Sequence, residues 1–449
     1  MSAGGVSAGG VSPSGASAGG ATGGDANVAG AAGSVAAGGG ASAGAGGAAG
    51  APCAVSMPLT ASGATIDVTP PMKIATALGM AKAGDRVLLH AGTYTAESIS
   101  KVSFATHVFI EVAAGDKVTL PGLRFTSSDH IVLDGLRVEG LLELEGSSNF
   151  VLRHLELIGQ GEDAALQFQG QHAAGASHDV AVEDSSISGG GRTVFILGNF
   201  APSEQWNHHL SFRRTHFTCG SHVCFQISGG RDVDIVGNQI DSDTTPGVLT
   251  AGATRVNIAQ NVFKASDGAA MQIATPGMEW DNYAGVENMI SSKVVIANNV
   301  VSGFKTGVQL DAATDVAVVY NTFVDGAGVR FNHRTPHDQA QNVILNGNDD
   351  IRIWNDIMQQ LAVAQGEKPP AFLSNNLISD SGSGDHLVTG DPKLDANKGY
   401  ELSAGSAAID QALVNAETPL VDFAGGPRGD KPDLGAHELG APAPACPNQ

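Results

Sequence analysis

The chain has 449 residues, with 45 Asp and Glu against 24 Lys and Arg, which gives a formal net charge of −21. This acidic balance argues against a protein that binds nucleic acid, because phosphate binding needs a basic face. No apolar run reaches the roughly 18 residues of a membrane-spanning helix, so we expect no transmembrane segment.

The first 52 residues differ in composition from the rest of the chain. They are almost entirely Gly, Ala and Ser, and Asp25 is their only charged residue. Such a segment buries too little apolar surface to offset its ordering entropy, so we expect 1–52 to be a disordered linker. This linker could serve as a tether to the cell surface or as a spacer without further function, and the sequence favours neither. Residues 1–10 lack a basic and an apolar region, so no signal peptide is recognisable.

The folded part, 53–449, is predicted to open with a short helix. Ile74, Leu78 and Ala81 fall on one helical face, and Gly84 follows as a stop signal. A helix at this place covers the end of a solenoid core that otherwise faces water.

A repeated unit then fills the centre of the chain. Each unit has an apolar-x-apolar strand, two turn residues, a small polar residue and a second strand, as in 233–240 and 256–263. Ten units begin at Ile131, Phe150, Val180, Leu210, Val233, Val256, Val294, Val316, Ile351 and Ala371. The period-2 alternation buries one face of each strand. This predicts an all-β fold, a parallel β-helix of about 10–12 coils, rather than a β-sandwich or a leucine-rich solenoid.

An asparagine recurs at a fixed offset in five units: Asn238, Asn261, Asn299, Asn321 and Asn376. Asparagine tolerates left-handed backbone angles, so we expect these residues to make the bends between strands. Stacked asparagine side chains can also hydrogen-bond from coil to coil. Four earlier units have other residues there (Leu136, Leu155, Ser185 and Thr215), so their bends should differ.

A third strand precedes most units, and its outward residues form a predicted row. The row is Gln167, Phe195, Gln226, Leu249, Gln272, Gln309 and Arg330. Insertions follow this strand at about 170–178, 199–208, 275–292 and 332–348. A sheet bordered by loops on one side predicts a groove.

The chain contains four cysteines: Cys53, Cys219, Cys224 and Cys446. Cys219 and Cys224 flank a turn signal, which predicts a disulfide; a Cys/His metal site with the neighbouring histidines fits no common zinc spacing. A Cys53–Cys446 bridge needs Cα atoms within roughly 7 Å. We do not expect it unless the tail folds back.

Two sets of motifs resemble known families. Residues 84–89 (GDRVLL) and 92–94 (GTY), with the repeat, resemble the pectin-lyase-like right-handed β-helix superfamily. Residues 390–394 (GDPKL), 405–410 (GSAAID) and 433–438 (DLGAHE) look like the choice-of-anchor Q ending of many secreted bacterial β-helix proteins. The resemblance implies a right-handed β-helix, export and a polysaccharide ligand, and no single reaction. The ending, about 385–440, is expected to cap the last coil with structural Asp and Arg residues.

The candidate site lies where cationic groups concentrate. A polysaccharide lyase must neutralise a uronate carboxylate, remove a proton and protonate the leaving oxygen. The candidate catalytic residues are Lys305, Arg330, His333, Arg334 and His337, and the candidate substrate-binding residues are Gln226, Gln272, Trp280, Tyr283, Gln309, Asp311 and Asn332. Each has a simpler alternative: Arg330 pairing with Asp311, the histidines as solvated loop residues, or Trp280 packing its own loop.

Three functions remain open at this point. The first is a secreted or surface-tethered lyase that acts on an acidic glycan. The second is a glycosidase with paired carboxylates near Asp281, Glu287 and Asp311. The third is a non-catalytic glycan-binding adhesin or spacer. We expect a monomer. Calcium suits some lyases, but no Asp-x-Asp-x-Asp-Gly-like loop appears, so no ligands are assigned.

Overall fold

Short parallel strands, stacked in three ladders, make up most of the computed structural model of the protein. The structure describes residues 59–170, 175–198, 205–243, 246–274, 290–332, 337–338, 343–344, 348–365, 367, 370–381 and 386–441. The ladders wind around one apolar core, and the predicted right-handed parallel β-helix is confirmed. The predicted linker, 1–52, lies outside the described residues.

The first sheet has thirteen strands: Thr65–Val68, Arg86–Leu89, Ser103–Val112, Asp129–Asp134, Ser148–Arg153, His178–Glu183, Asn207–Arg213, Gly230–Val236, Thr254–Ala259, Ser292–Ala297, Thr314–Val319, Asp349–Trp354 and Phe372–Ser374. The last ten of these strands correspond to the ten predicted units. Three earlier strands precede them, which is why the sheet exceeds the expected 10–12 coils.

The remaining parallel strands form two ladders that share the strand Ile357–Val363. The second sheet contains Gly92–Thr93, Val118–Leu120, Arg137–Glu139, Glu156–Gly159, Ser186–Gly189, His216–Thr218, Gln239–Asp241, Val262–Lys264, Val300–Ser302, Thr322–Phe323, Ile357–Val363 and Leu377–Ser381. The third sheet contains Glu97–Ser100, Leu123–Thr126, Leu142–Glu145, Leu166–Gln169, Arg192–Leu197, Val223–Ser228, Val248–Ala251, Ala269–Ala274, Thr306–Asp311, Ala327–Asn332 and Ile357–Val363.

Four shorter features complete the described elements. Two antiparallel pairs join His337–Asp338 to Val343–Ile344 and Leu394–Asp395 to Glu401–Leu402. A 3₁₀ turn spans Ala396–Lys398. The predicted helix is Ile74–Met80, and its first N–H groups donate to the carboxylate of Glu97 at 2.9 and 3.0 Å.

Like residues stack in the core as the repeat predicts. Val233, Val256, Val294, Val316 and Ile351 are register partners in successive strands, and each is at most 2% exposed. Burying one such side chain contributes about 1.5–3 kcal/mol. The column therefore stabilises the coil stacking that the rest of the fold depends on.

The predicted asparagine ladder exists and is hydrogen-bonded from coil to coil. The backbone N–H of Asn238 donates to Oδ1 of Asn261 at 2.9 Å, and later coils repeat this bond. The hydroxyl groups of Ser185 and Thr215 accept the equivalent N–H at 3.0 and 3.4 Å. These two positions keep the hydrogen-bonding pattern of the ladder. The expectation that the bends of the four earlier units differ is wrong, because the residues before those positions are left-handed, with φ between 48° and 71°, as in the later coils: Gly135, His154, Asp184 and Arg214.

The bend itself is made one residue earlier than predicted. In the later coils the left-handed residues are Gly237, Gln260, Asn298, Tyr320, Asn355 and Asn375, with φ between 51° and 68°. We call these six residues the bend column. The prediction that the ladder asparagines adopt left-handed angles is wrong, because their side chains serve as inward hydrogen-bonding groups while the preceding residue turns the chain.

The C-terminal segment, residues 386–441, lies along the outside of the bend column. Gln260 Nε2 donates to the carbonyl of Asp422 at 2.8 Å, and four coils later Asn375 Nδ2 donates to Gln411 at 3.0 Å. An apolar cluster that includes Leu377, Leu402 and Leu434 fixes the segment to the last coils. The segment therefore runs along the side of the solenoid.

The predicted disulfide between Cys219 and Cys224 is present, with Cα atoms 4.4 Å apart. Cys53 and Cys446 lie outside the described residues. In the part of the chain that the structure describes, no helix is long and apolar enough to cross a membrane.

Candidate functional site

The outward residues of the third sheet form one continuous column. Gln167, Phe195, Gln226, Leu249, Gln272, Gln309 and Arg330 are register partners from strand to strand. Neighbouring strands lie roughly 4.8 Å apart, so polar groups recur at that spacing along the face. The predicted row is therefore a real feature of the sheet surface.

Asp311 organises the polar end of this column. Its Oδ2 atom accepts from the Nε2 groups of both Gln272 and Gln309, at 2.7 and 2.8 Å. Asp311 is 3% exposed and lies two residues beyond Gln309 on the same strand. Because both amide nitrogens face this carboxylate, the two amide oxygens are directed elsewhere. No described residue donates to either oxygen.

Arg330 sits directly over Gln309 in the next coil and is exposed. Its guanidinium forms no ion pair with any described residue, so the alternative of an Arg330–Asp311 pair does not hold. Asn332 is the register partner of Asp311 and is partly exposed. The end of this strand thus places a cation and an amide beside two acceptor oxygens.

Two predicted residues are placed differently. Lys305 immediately precedes the strand Thr306–Asp311, roughly 13 Å before Gln309 at strand spacing. Its Nζ atom pairs with Asp267 at 2.8 Å. Gln226 is 6% exposed; its amide oxygen accepts from Arg192 and its nitrogen donates to Ser228 at 3.0 Å. The structure therefore separates both residues from the Asp311 cluster.

The remaining predicted residues fall in the insertions. His333, Arg334, Trp280 and Tyr283 lie outside the described residues. His337 starts the two-residue strand His337–Asp338, for which the structure describes the backbone only. A catalytic site formed by Arg330 with His333, Arg334 and His337 stays a prediction.

The sequence reasoning missed the other end of the column. Glu143 and Arg124 are the register partners that precede Gln167, and Arg124 contacts the carboxylates of both Glu143 and Glu145. The signal was present, because 123–126 and 142–145 share the apolar-x-apolar pattern of later third strands. Arg124 and Glu143 line a shallow depression together with Ser98.

The described residues hold no group of three or more His, Cys, Asp or Glu side chains placed to bind a metal ion. A calcium requirement therefore has no assigned ligands and stays untested.

No protein-family model matches the chain, and no curated protein matches it. Solved structures share its fold at low identity. Pectate lyase Pel9A is 13% identical with a TM-score of 0.45, over 84% of this chain and 97% of that chain. An alginate lyase from Paenibacillus sp. str. FPU-7 is 14% identical with a TM-score of 0.41, over 59% and 97%. PfbA, a surface adhesin of Streptococcus pneumoniae, is 11% identical with a TM-score of 0.40, over 69% and 81%. Likenesses at this level carry no argument about activity.

Proposed function

We propose that the third sheet binds an acidic polysaccharide around Arg330 and that the protein cleaves it as a lyase. The observation that carries this proposal is the exposed Arg330 guanidinium, which has no ion-pair partner among the described residues. It stands beside two glutamine amides oriented by Asp311. In a chain with a net charge of −21, an exposed arginine on a polar face suits a carboxylate ligand.

The proposed chemistry assigns a role to each of these groups. Arg330 pairs with the uronate carboxylate and stabilises the charge that develops when the adjacent proton leaves. The amide oxygens of Gln272 and Gln309 accept from sugar hydroxyls and fix the ring. The base is expected among His333, Arg334 and His337, which follow Arg330 in the chain, and it takes the C5 proton. The C4=C5 double bond then forms as the C4–O bond to the neighbouring sugar breaks, and the departing oxygen takes up a proton from the same group of side chains or from water.

The paired-carboxylate alternative has weaker support. Asp311 is almost fully buried, and its Oδ2 atom is held by two amides. A carboxylate in that position orients its neighbours rather than attacking a sugar. Asp281 and Glu287, the other carboxylates of this alternative, lie outside the described residues.

We further propose that the protein works outside the cytosol. The Cys219–Cys224 disulfide supports this location, because structural disulfides persist mainly in oxidising compartments.

The Arg330→Ala substitution tests the proposed lyase. On uronate polymers, with and without Ca²⁺, we expect kcat/KM for unsaturated product to fall about 100-fold, and Arg330→Lys to recover part of it. Ultraviolet absorbance of the unsaturated product measures both. Arg213→Ala is the matched control, because Arg213 is a partly exposed arginine on the first sheet.

Other outcomes separate the alternatives. New reducing ends without unsaturation indicate a glycosidase, and glycan binding without turnover indicates an adhesin. Unchanged turnover in Arg330→Ala contradicts the assignment of the site.

A further inference from the structure

A second line of polar side chains follows the start of the first sheet, away from the Arg330 site. One residue near the start of each of nine successive strands is left-handed, with φ between 46° and 58°. These residues are His130, Asn149, Asp179, His209, Asp232, Arg255, Lys293, Asp315 and Asp350. The residues before and after each of them pair with the neighbouring strand, but the left-handed residue itself does not. None is glycine, although a left-handed angle favours it. The repeated bulge therefore presents a side chain in every coil.

Histidines concentrate in the first half of this line. His107 and His130 have ring centroids 5.2 Å apart. His178 and His208 are 4.9 Å apart, and His208 and His209 are 4.7 Å apart. The cationic residues Arg231, Arg255 and Lys293 continue the line in the next three coils. We call these eight residues the histidine stripe.

Three carboxylates face the stripe. Asp129 contacts His130 at 2.9 Å, and Asp179 contacts His178 and His209 at 2.7 and 3.3 Å. Asp232 pairs with Arg255 at 2.5 Å and with Arg231 at 3.3 Å, and lies 3.8 Å from His209. The side chains of His130, His178 and His209 remain 28%, 37% and 51% exposed.

The charge of this surface depends on pH. With neutral histidines, the three cations of the stripe face these three carboxylates. Asp315 and Asp350 follow Lys293 in the line, and Asp315 pairs with Arg352 at 2.7 Å. Histidine gains a proton between about pH 8 and pH 5, so acidification adds up to five positive charges along the line. Burial lowers the pKa of His107 and of His208 from the usual histidine value. Neighbouring cations add to this lowering: His130 for His107, and Arg231, His178 and His209 for His208.

We propose that the histidine stripe binds a polyanionic glycan at mildly acidic pH and releases it near neutrality. The stripe crosses eight coils, so its cations extend over roughly 34 Å at strand spacing. An extended chain with one anionic group per sugar matches a single line of cations better than a duplex does, because a duplex carries its phosphates on two strands. This proposal is independent of the lyase site, because it uses the first sheet and none of the residues around Arg330.

The test measures binding of two polyanions to the full chain carrying Arg330→Ala, so that the lyase site does not contribute. The probes are polygalacturonate, which carries carboxylates, and dextran sulfate, with uncharged dextran as the reference. We expect binding of at least one polyanion to be about tenfold tighter at pH 5 than at pH 7.5 and to weaken with salt. Which probe binds distinguishes a carboxylated from a sulfated partner.

The triple variant His130→Asn, His178→Asn and His209→Asn removes three stripe charges. Asparagine suits the bulge, because Asn149 already occupies it with φ 53°. We expect this variant to lose the tighter binding at pH 5. The control, His154→Asn with His216→Asn, changes exposed histidines elsewhere, one of them also left-handed with φ 52°. Circular dichroism at pH 5 verifies that both variants are folded.

Three results would overturn the proposal. They are equal binding at both pH values, unchanged binding by the triple variant, and equal or tighter binding of double-stranded DNA.

Discussion

Replacing Asp356 by asparagine is expected to raise the free energy of unfolding by about 4 kcal/mol at pH 7. Asp356 occupies one step of the asparagine ladder and is fully buried. Its Oδ1 atom accepts from the backbone and side-chain nitrogens of Asn321, at 2.6 and 3.0 Å. Oδ1 thus does what the amide oxygen does in the other coils.

The second oxygen of Asp356, Oδ2, occupies a position where the ladder asparagines have a hydrogen-bond donor. Its equivalents in Asn321 and Asn376 are Nδ2 groups, which donate to the carbonyls of Ile296 and Ile353 at 2.9 and 3.1 Å. Oδ2 of Asp356 is buried without a hydrogen-bond partner. Only a protonated carboxyl can donate from this position, so the fold favours the neutral acid.

The sign of the pH dependence follows from this preference. Burial raises the pKa of Asp356 from 3.8 to about 8, and the hydrogen bonds from Asn321 oppose the rise. A folded-state pKa above the unfolded value means that stability is complete below about pH 4 and is lost as the pH rises toward 8. Each pH unit in this window costs about 1.4 kcal/mol, and about three units separate pH 4 from pH 7.

Urea denaturation of the wild type and of Asp356→Asn at several pH values measures the effect. The increase in the free energy of unfolding of Asp356→Asn over the wild type should be near zero at pH 4 and largest above pH 8. The reverse substitution at a neighbouring step, Asn299→Asp, is the matched control and should introduce the same loss of stability with rising pH. Parallel stability curves for the wild type and Asp356→Asn would show that Asp356 is not protonated in the fold.

Asp356 also shows what the sequence pattern resolves and what it does not. Period-2 alternation and the asparagine register are enough to predict the β-helix and all ten repeated strands. The ladder continues through Asp356, Ser185 and Thr215 because it requires an acceptor oxygen at that place rather than an asparagine. A pattern based on residue identity therefore stops at positions where the physical requirement is still met.

For the candidate site, the sequence likewise predicts the column of residues but not their contacts. The row of outward residues follows from local alternation, so Gln272, Gln309 and Arg330 were placed correctly in one column. The bond from Gln272 to Asp311 joins residues 39 apart in the sequence, with an insertion between them. The partner of Lys305 is likewise 38 residues away. Such contacts depend on how each insertion returns the chain to the next coil, which local spacing does not contain.

The Arg428→Ala substitution is expected to cost about 3–5 kcal/mol and to detach the C-terminal segment from the solenoid. The Arg428 side chain is 2% exposed, and burial lowers its pKa. Its guanidinium lies 4.1 Å from the ring centroid of Tyr320 and donates to Asn298 Oδ1 at 2.8 Å. Both partners belong to the bend column, so this one side chain ties the segment to two neighbouring coils.

The same guanidinium holds the segment together internally. It donates to the carbonyls of Gly435 and Ala436 at 2.8 and 3.1 Å and pairs with Glu438 at 3.3 Å. Removing it leaves these carbonyls and the mostly buried Glu438 carboxylate without their cation, which costs more than the lost contacts alone.

Because the asparagine ladder and the aliphatic core do not include Arg428, we expect the solenoid of Arg428→Ala to stay folded while residues 386–441 open. Limited proteolysis should then cut this segment faster, with little change in the far-ultraviolet circular dichroism. Arg428→Lys keeps the charge but not the planar arrangement of donors, so its protease sensitivity should fall between those of the wild type and Arg428→Ala.

Arg352→Ala is the matched control, since Arg352 also joins the solenoid to the segment through Glu417 at 2.7 Å, yet is 23% exposed. A partly exposed ion pair of this kind contributes about 1 kcal/mol or less. Equal protease sensitivity of the two alanine variants would mean that burial of Arg428 does not decide how the segment is held.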